Sequence, residues 1–266
     1  MSPSARYGPH HWPHYWPQTG LTLIELMIAM TLGLMITTSL GYILMGSRST
    51  YRTQDASARV QDTGRFALEF IGRQLRSAGR TVISPGNTLL PSVPTPIAGT
   101  DTTLTVQYQD SDMGKKPDDI RDCNGNGENI AKTVIPDTKS ANKYATVSNT
   151  ISFDGNEDKK RQLRCEGNGG GGSQPFAEGV EELQFRYTMG DGTWTTAPGN
   201  PVVAVEVCFR VRSTGNGVVN ATQTIKDCAG SDFTPKPADT RLRRTFTSVF
   251  ALRNNIHSLP TPLPTP

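Results

Sequence analysis

Histidine is scarce in this chain, and what there is stands far from its middle. His10, His11 and His14 fall near the start and His257 near the end, so the body of the 266-residue sequence offers almost no base for Ser-His or Cys-His nucleophilic chemistry. No two of the four cysteines make a CxxC pair, which argues against a zinc site. Charge of one sign is also missing: 27 Lys and Arg face 24 Asp and Glu, for a net +3, and the basic residues are scattered rather than drawn into a nucleic-acid track. The densest basic cluster, Arg241, Arg243 and Arg244, has the spacing of a solvated strand face. Residues 167–172 are rich in glycine but lack the lysine and the following helix of a phosphate-binding loop, and read as a flexible loop. No strand-helix repeat is visible, which disfavours a parallel doubly wound sheet.

Against these absences stands one long apolar run. Residues 21–45, LTLIELMIAMTLGLMITTSLGYILM, hold a single charge, Glu25. About 20 apolar residues span a bilayer as a helix, and a carboxylate at the centre of one costs about 2.5–3.5 kcal/mol. The run is too long for the apolar core of a secretory peptide, and no small-x-small cleavage site closes it before Arg48.

Beyond Met45 the sequence turns polar but keeps a helical period. Val60, Ala67, Ile71, Leu75 and Ala78 make one apolar stripe, while Arg52, Asp55, Arg59, Glu69 and Arg73 occupy the other faces. Gly79 is a natural C-cap, and Pro85 forbids much continuation. One helix over 21–78 is predicted, about 58 residues and roughly 87 Å at 1.5 Å per residue. Its glycines, Gly33, Gly41, Gly46, Gly64 and Gly72, mark bends or close contacts, and the pattern does not distinguish the two.

Residues 81–99 read as an irregular surface connector. Strands are predicted over 103–108, 146–153, 180–188, 202–211 and 242–252, joined by short turns as an antiparallel sheet. The closing Pro-Thr-Pro-Leu-Pro-Thr-Pro reads as a disordered or polyproline tail. The fold class is thus α+β, with a long N-terminal helix packed on a C-terminal antiparallel β-sheet domain.

Four cysteines, Cys123, Cys165, Cys208 and Cys228, all come after the apolar run. An even number outside the cytoplasm favours disulfides. Three connectivities are open, and pairing of sequence neighbours favours Cys123 with Cys165 and Cys208 with Cys228. The second staple would close a loop of about 20 residues, on the order of 3 kcal/mol by loop entropy. Asp122, Asn124, Asn126 and Gly127 match the first half of a calcium loop, but Thr133 stands where the closing glutamate belongs, and a tight turn beside a disulfide explains the same residues. Asp154 with Glu157 and Asp158 is a weaker cluster still. Glu181 and Glu182 are expected on opposite faces of a strand, which leaves no carboxylate pair for hydrolysis. No cofactor and no enzymatic activity are expected.

The string GLTLIEL, Gly20 to Leu26, resembles the class III signal of type IV prepilins and pseudopilins. The resemblance implies cleavage between Gly20 and Leu21, methylation of the new N-terminus, and an assembly role for Glu25, whose carboxylate would pair with the amine in its own chain or a neighbour's. This family more often has Phe at the position of Leu21. Residues 1–20 would be the cleaved leader, although Arg6 is its sole Arg or Lys, where such leaders carry several. A copper or zinc role for its His and Trp residues is the weaker reading in a peptide that is cut away.

The segment from Tyr51 to Arg80, together with RDCNGNG, LRCEGNGG, PFAEGVEELQFRY, VVAVEVCFRVRS and RLRRTFTSVFALRN, is similar to PilW-type minor pilins in the same order. That likeness implies a low-abundance, tip-located priming subunit of a type IV pilus, supporting adhesion and twitching motility. Its implied partners are other minor pilins, the major pilin, a prepilin peptidase/N-methyltransferase, an inner-membrane assembly platform and a tip adhesin. The chain would be a single-pass inner-membrane protein with a periplasmic C-terminal domain, then part of an extracellular pilus. The implied layout is a helix over 21–79, with 21–46 in membrane or filament core and 47–79 amphipathic, then a connector over 80–100, a sheet domain over 101–256 and a tail over 257–266. A J-type minor pseudopilin of type II secretion shares the signal, and a membrane-anchored periplasmic enzyme is the more distant alternative.

Overall fold

A computed structural model describes residues 20–84, 90, 93–116, 119–135, 142–155, 161–199, 201–236 and 238–254. The rest of the leader, Glu157, Asp158, His257 and the proline-rich tail lie outside the described residues. The chain divides into two compact units, 1–50 and 51–266. One helix, α1, runs Leu23–Ser77, close to the predicted span. Behind it Gly79 takes φ +70°, the left-handed conformation of a helix cap, and its N–H donates to the Gln107 carbonyl.

In the second unit the described residues form eleven strands: β1 Ile97–Gly99, β2 Thr103–Ser111, β3 Thr133–Val134, β4 Lys143–Asp154, β5 Gln162–Gly167, β6 Gln174–Glu178, β7 Val180–Thr188, β8 Ala204–Arg212, β9 Ile225–Lys226, β10 Asp232–Phe233 and β11 Arg243–Ala251. All pair antiparallel. Instead of one sheet there are two larger ones, β1-β2-β4-β5-β6 with β3 beside β4, and β11-β8-β7, plus the β9–β10 hairpin. The five long strands were legible from alternation. The shorter ones are too brief to show a period. The large sheets are tied where the buried Tyr187 hydroxyl donates to the carbonyls of Thr100 and Thr103, 2.9 and 3.2 Å away.

The stripe of α1 packs on both sheets. Val60, Ala67, Ile71 and Leu75 are buried in one cluster with Leu104, Val147, Phe185 and Phe209. Gly64 and Gly72 belong to the same face. A Cβ on Gly64 would stand 2.2 Å from the Phe246 ring, and one on Gly72 2.5 Å from Phe250. These two glycines are therefore close contacts, whereas nothing approaches Gly33, Gly41 or Gly46 within 4 Å. Phe70 stacks on Phe176 of β6 at 4.3 Å, and Gln74 accepts a hydrogen bond from the fully buried Asn149 of β4.

The connector is not the surface segment expected over 81–99. Val82 and Leu90 are buried with Ile135 in a second small cluster, and Ile97 begins a strand. Pro and Ser content signals irregular backbone, and irregular backbone can still bury its apolar side chains.

The arginine cluster is corrected at Arg243, while Arg244 is exposed as expected. β11 turns Phe246 and Phe250 toward α1 and Arg243 to the other side of the sheet, where Arg243 is 3% exposed rather than solvated. Its guanidinium forks onto Glu181, with Nε to Oε2 at 2.7 Å and Nη2 to Oε1 at 3.1 Å, and also bonds Asp239. A bulge between Val180 and Glu182 breaks the alternation, so Glu181 and Glu182 do not diverge. Both meet Arg210, at 3.4 and 2.6 Å, and Arg210 lies under the Phe233 ring at 3.7 Å. Burial would raise the Glu181 pKa, but the hydrogen bonds and charge of Arg243, helped by Arg210 and Arg212, hold it below the usual carboxylate value.

This packing has two testable consequences. Gly64→Val drives two methyl groups into Phe246, which stacks on Phe209, and overpacking is expected to cost about 1–3 kcal/mol by urea unfolding despite the better helix propensity. Because the pKa of Glu181 is lower folded than unfolded, its stabilisation is complete above about pH 4.5 and drains away as pH falls through the folded value. Glu181→Gln should destabilise by roughly 3 kcal/mol at neutral pH and flatten the acid limb of stability measured between pH 2 and 7.

Candidate functional site

In the first unit Thr22 is the N-cap of α1. Its carbonyl accepts the first helical bond from Leu26 N–H, its hydroxyl accepts from Glu25 N–H at 3.3 Å, and its own N–H donates to Glu25 Oε2 at 3.1 Å. This is a capping box, T-x-x-E, and it was there to be read in TLIE. Gly20 and Leu21 stand just before the cap, both exposed, so the bond between them is accessible. Glu25 is thus fixed close to the amine that cleavage after Gly20 would create, one residue before its Thr22 partner.

The helix beyond is apolar on every face. Ile24, Met35 and Met45 are 67%, 67% and 73% exposed, and no residue of its most apolar stretch is buried. Thr31, Thr37 and Ser39 donate their hydroxyls to carbonyls three or four residues back, which satisfies them without water. By length and composition this is a helix that can cross a membrane.

The second unit carries the remaining site residues. Cys123 is joined to Cys165, and Cys208 to Cys228. The loops closed by separations of 42 and 20 residues are worth roughly 4 and 3 kcal/mol in the entropy model. The Cys208–Cys228 bond fastens the segment bearing β9 and β10 over the outer face of β8, and Cys228 N–H donates to Glu182.

Asp122, Asn124 and Asn126 do come together, but to bind backbone. Asp122 Oδ1 accepts from the N–H groups of Asn124 and Asn126, each at 2.9 Å, and Oδ2 accepts from Gly169 N–H at 2.9 Å. Asn124 donates to the carbonyls of Cys165 and Gly172, and Asn126 to that of Gly170. The glycine-rich loop is consequently not loose, because it is stitched to the 122–126 turn. A Cβ on Gly167 would stand 2.1 Å from Asp122 Oδ2, and one on Gly169 2.2 Å from the Asn126 carbonyl, so glycine is required for the approach. Among the described residues no group of three or more acidic, His or Cys side chains is placed to hold a metal.

Residues 17–41 match the family model of the prokaryotic N-terminal methylation motif, and residues 150–254 match that of the type IV pilus-assembly protein W. The chain carries a PilW domain behind an N-terminal methylation motif. The first match spans Gly20, Leu21 and Glu25, and the PilW match runs from the middle of β4 through β11, taking in three of the cysteines and the Glu181 network. A type IV-like pilin from Thermus thermophilus is similar in structure at 11% identity and a TM-score of 0.41, over 74% of this chain and 98% of that one. No curated protein sequence matches. The methylation motif and the apolar helix fit a membrane-anchored pilin.

Because Asp122 satisfies three backbone amides, Asp122→Ala is expected to cost about 3 kcal/mol in chemical unfolding. A calcium chelator should leave the thermal midpoint of the parent protein unchanged, and a fall would restore the metal reading.

Proposed function

We propose that the chain is a minor pilin, cut after Gly20, methylated at Leu21 and taken into a type IV pilus as a low-abundance tip subunit that primes assembly. The observation that carries this is Glu25, the lone charge of the apolar run 21–45, locked by Thr22 beside the future amino terminus. Cleavage turns the Leu21 nitrogen into a cation at the positive end of the helix, where a carboxylate is already favoured. In an apolar medium that cation and Glu25 neutralise each other within one chain or between neighbours. The pairing lets a subunit leave the bilayer for a filament without an uncompensated charge.

Before assembly the chain is a single-pass inner-membrane protein with its C-terminal domain in the periplasm, a compartment that suits two disulfides. Its partners are the prepilin peptidase/N-methyltransferase, the assembly platform, the major pilin, other minor pilins and an adhesin carried at the tip. Adhesion and twitching motility depend on it through the filament it starts. Its contribution is structural. Catalysis is supplied by the enzymes that process it.

N-terminal sequencing and mass of the protein from envelopes and from sheared filaments test the reading. A methylated Leu21 start in the filament fraction is expected, while a Met1 start confined to the membrane refutes it. Glu25→Ala should still insert and be cleaved but vanish from sheared filaments. Normal recovery there would remove the assembly role from this carboxylate.

A further inference from the structure

Four strands end the two large sheets, β1 and β6 in one and β7 and β11 in the other. An end strand offers unpaired N–H and C=O groups to any other strand, and native proteins blunt such edges with brevity, proline, bulges or cover. Three of the four are blunted here. β1 has three residues, and β6 contains Pro175 and meets β5 through a bulge. The outer side of β7 is occupied, because Phe185 N–H donates to the Asp101 carbonyl and Tyr187 exchanges two backbone hydrogen bonds with Thr195.

β11 is different. It pairs with β8 over nine consecutive residues without a bulge. Leu252 N–H donates to the Val203 carbonyl and Ser213 N–H to that of Leu242, so the even-numbered residues of the strand bond to β8 and the odd-numbered ones turn their N–H and C=O outward. Thr245 is engaged through its hydroxyl, which donates to the Lys226 carbonyl of β9 at 2.6 Å. At Thr247, Val249 and Ala251 no described residue meets the outward backbone groups, and all three side chains are exposed, Val249 at 54%. Five residues of uncharged edge, about 17 Å long, are thus open to pairing.

Charge decides what can lie there. Arg244 and Arg253 bracket the open stretch, both exposed and neither in an ion pair with a described residue. After Asp239 the sequence holds no Asp or Glu. If a second copy paired antiparallel through Val249, Arg253 of each chain would lie opposite Thr245 and beside Arg244 of the other, with no carboxylate in either strand to offset them. The edge therefore selects against its own copy. A strand with Asp or Glu at both ends meets the two arginines favourably in either direction.

We propose that the outer edge of β11 docks an extended segment of another protein, about nine residues long, β-branched in its middle and acidic at its ends. The segment adds as a fourth strand to β7-β8-β11, its backbone bonding Thr247, Val249 and Ala251 and its carboxylates meeting Arg244 and Arg253. This site is separate from Gly20 and Glu25. It is tested with the chain and a peptide alone, so it stands or falls apart from the pilin reading.

The test is amide exchange of the full chain in non-ionic detergent. In the free chain the amides of Phe246, Ser248 and Phe250 should be protected and those of Thr247, Val249 and Ala251 fast; protection of the second set would mean that the edge is already covered, and overturns the proposal. The probe is the capped peptide Glu-Thr-Val-Thr-Val-Thr-Val-Thr-Glu. At saturation it should slow those three amides on the order of tenfold, whereas its twin with Lys for both Glu should not. No slowing with either peptide removes the site, and equal slowing with both removes the acidic occupant. Val249→Pro deletes an outward N–H that β8 does not use, so Phe246 and Ser248 stay protected while the peptide no longer slows Thr247 and Ala251. Peptide protection retained in that variant, or lost in Val249→Thr, overturns pairing through the backbone.

Discussion

The second unit depends on the approach of the latter part of α1 to β11. Gly64 and Gly72 remove the side chains that would hold the two apart, and Phe246 and Phe250 fill the notches. The first and last elements of the domain thereby touch, and everything between them in sequence must fold around that contact. Burying Ile71 and Leu75 completely contributes about 1.5–3 kcal/mol each, and the same face collects β-strand side chains from both large sheets. The buried Asn149 sits in this apolar interface because it is satisfied from two directions. It accepts from Cys123 N–H and donates to Gln74, so the helix, β4 and the first disulfide share one polar node.

The face of β8 turned away from α1 is stabilised differently. Among the described residues no helix covers it, and the segment bearing β9 and β10 crosses it instead. A loop cannot exclude water as a helix can, and its backbone groups need partners. The chain answers with charge and covalency. Glu181, Glu182 and Asp239 are threaded among Arg210, Arg212 and Arg243, while Cys208–Cys228 pins the covering segment. Such buried ion pairs add little net stability over apolar packing, yet removing one partner strands the others. Their effect is to make the position of the covering segment specific. At the other disulfide, Asp122 does the equivalent work by holding the glycine-rich loop against the 122–126 turn.

Legibility from sequence depends on the length over which a pattern can express itself. The α1 stripe and the five long strands persist through several periods, so their residues announce their faces. β1, β3, β9 and β10 hold two or three residues each and announce nothing. The Glu181–Glu182 expectation failed for a different reason: it applied strict alternation, and one bulged residue cancels it. Arg243 of β11 looked solvated because Glu181, onto which its guanidinium forks, lies 62 positions earlier, a separation that no local pattern spans. The glycine-rich loop misled in the same way. Gly167 and Gly169 are demanded by the close approach of Asp122 and Asn126, remote in sequence, while Gly170, Gly171 and Gly172 take positive φ. At the amino-terminal site the reverse holds: Gly20, Leu21 and Glu25 lie within six residues, and both the motif and the Thr22 cap are local.

The strength of that cap bears on why Glu25 is there. Thr22 and Glu25 form a capping box, and capping by itself would explain a glutamate at this position in a soluble helix. An N-cap interaction is worth about 1 kcal/mol. A carboxylate in an apolar medium costs about 2.5–3.5 kcal/mol, so the cap cannot offset it where the run is surrounded by lipid or by other apolar helices. A further favourable partner is needed. The cap explains how Glu25 is held. It leaves why the charge is tolerated to the cation one residue from Thr22, which exists only after the leader is gone. The two roles are then sequential rather than competing: the cap preorganises the carboxylate in the precursor, and cleavage supplies the charge for which it is preorganised.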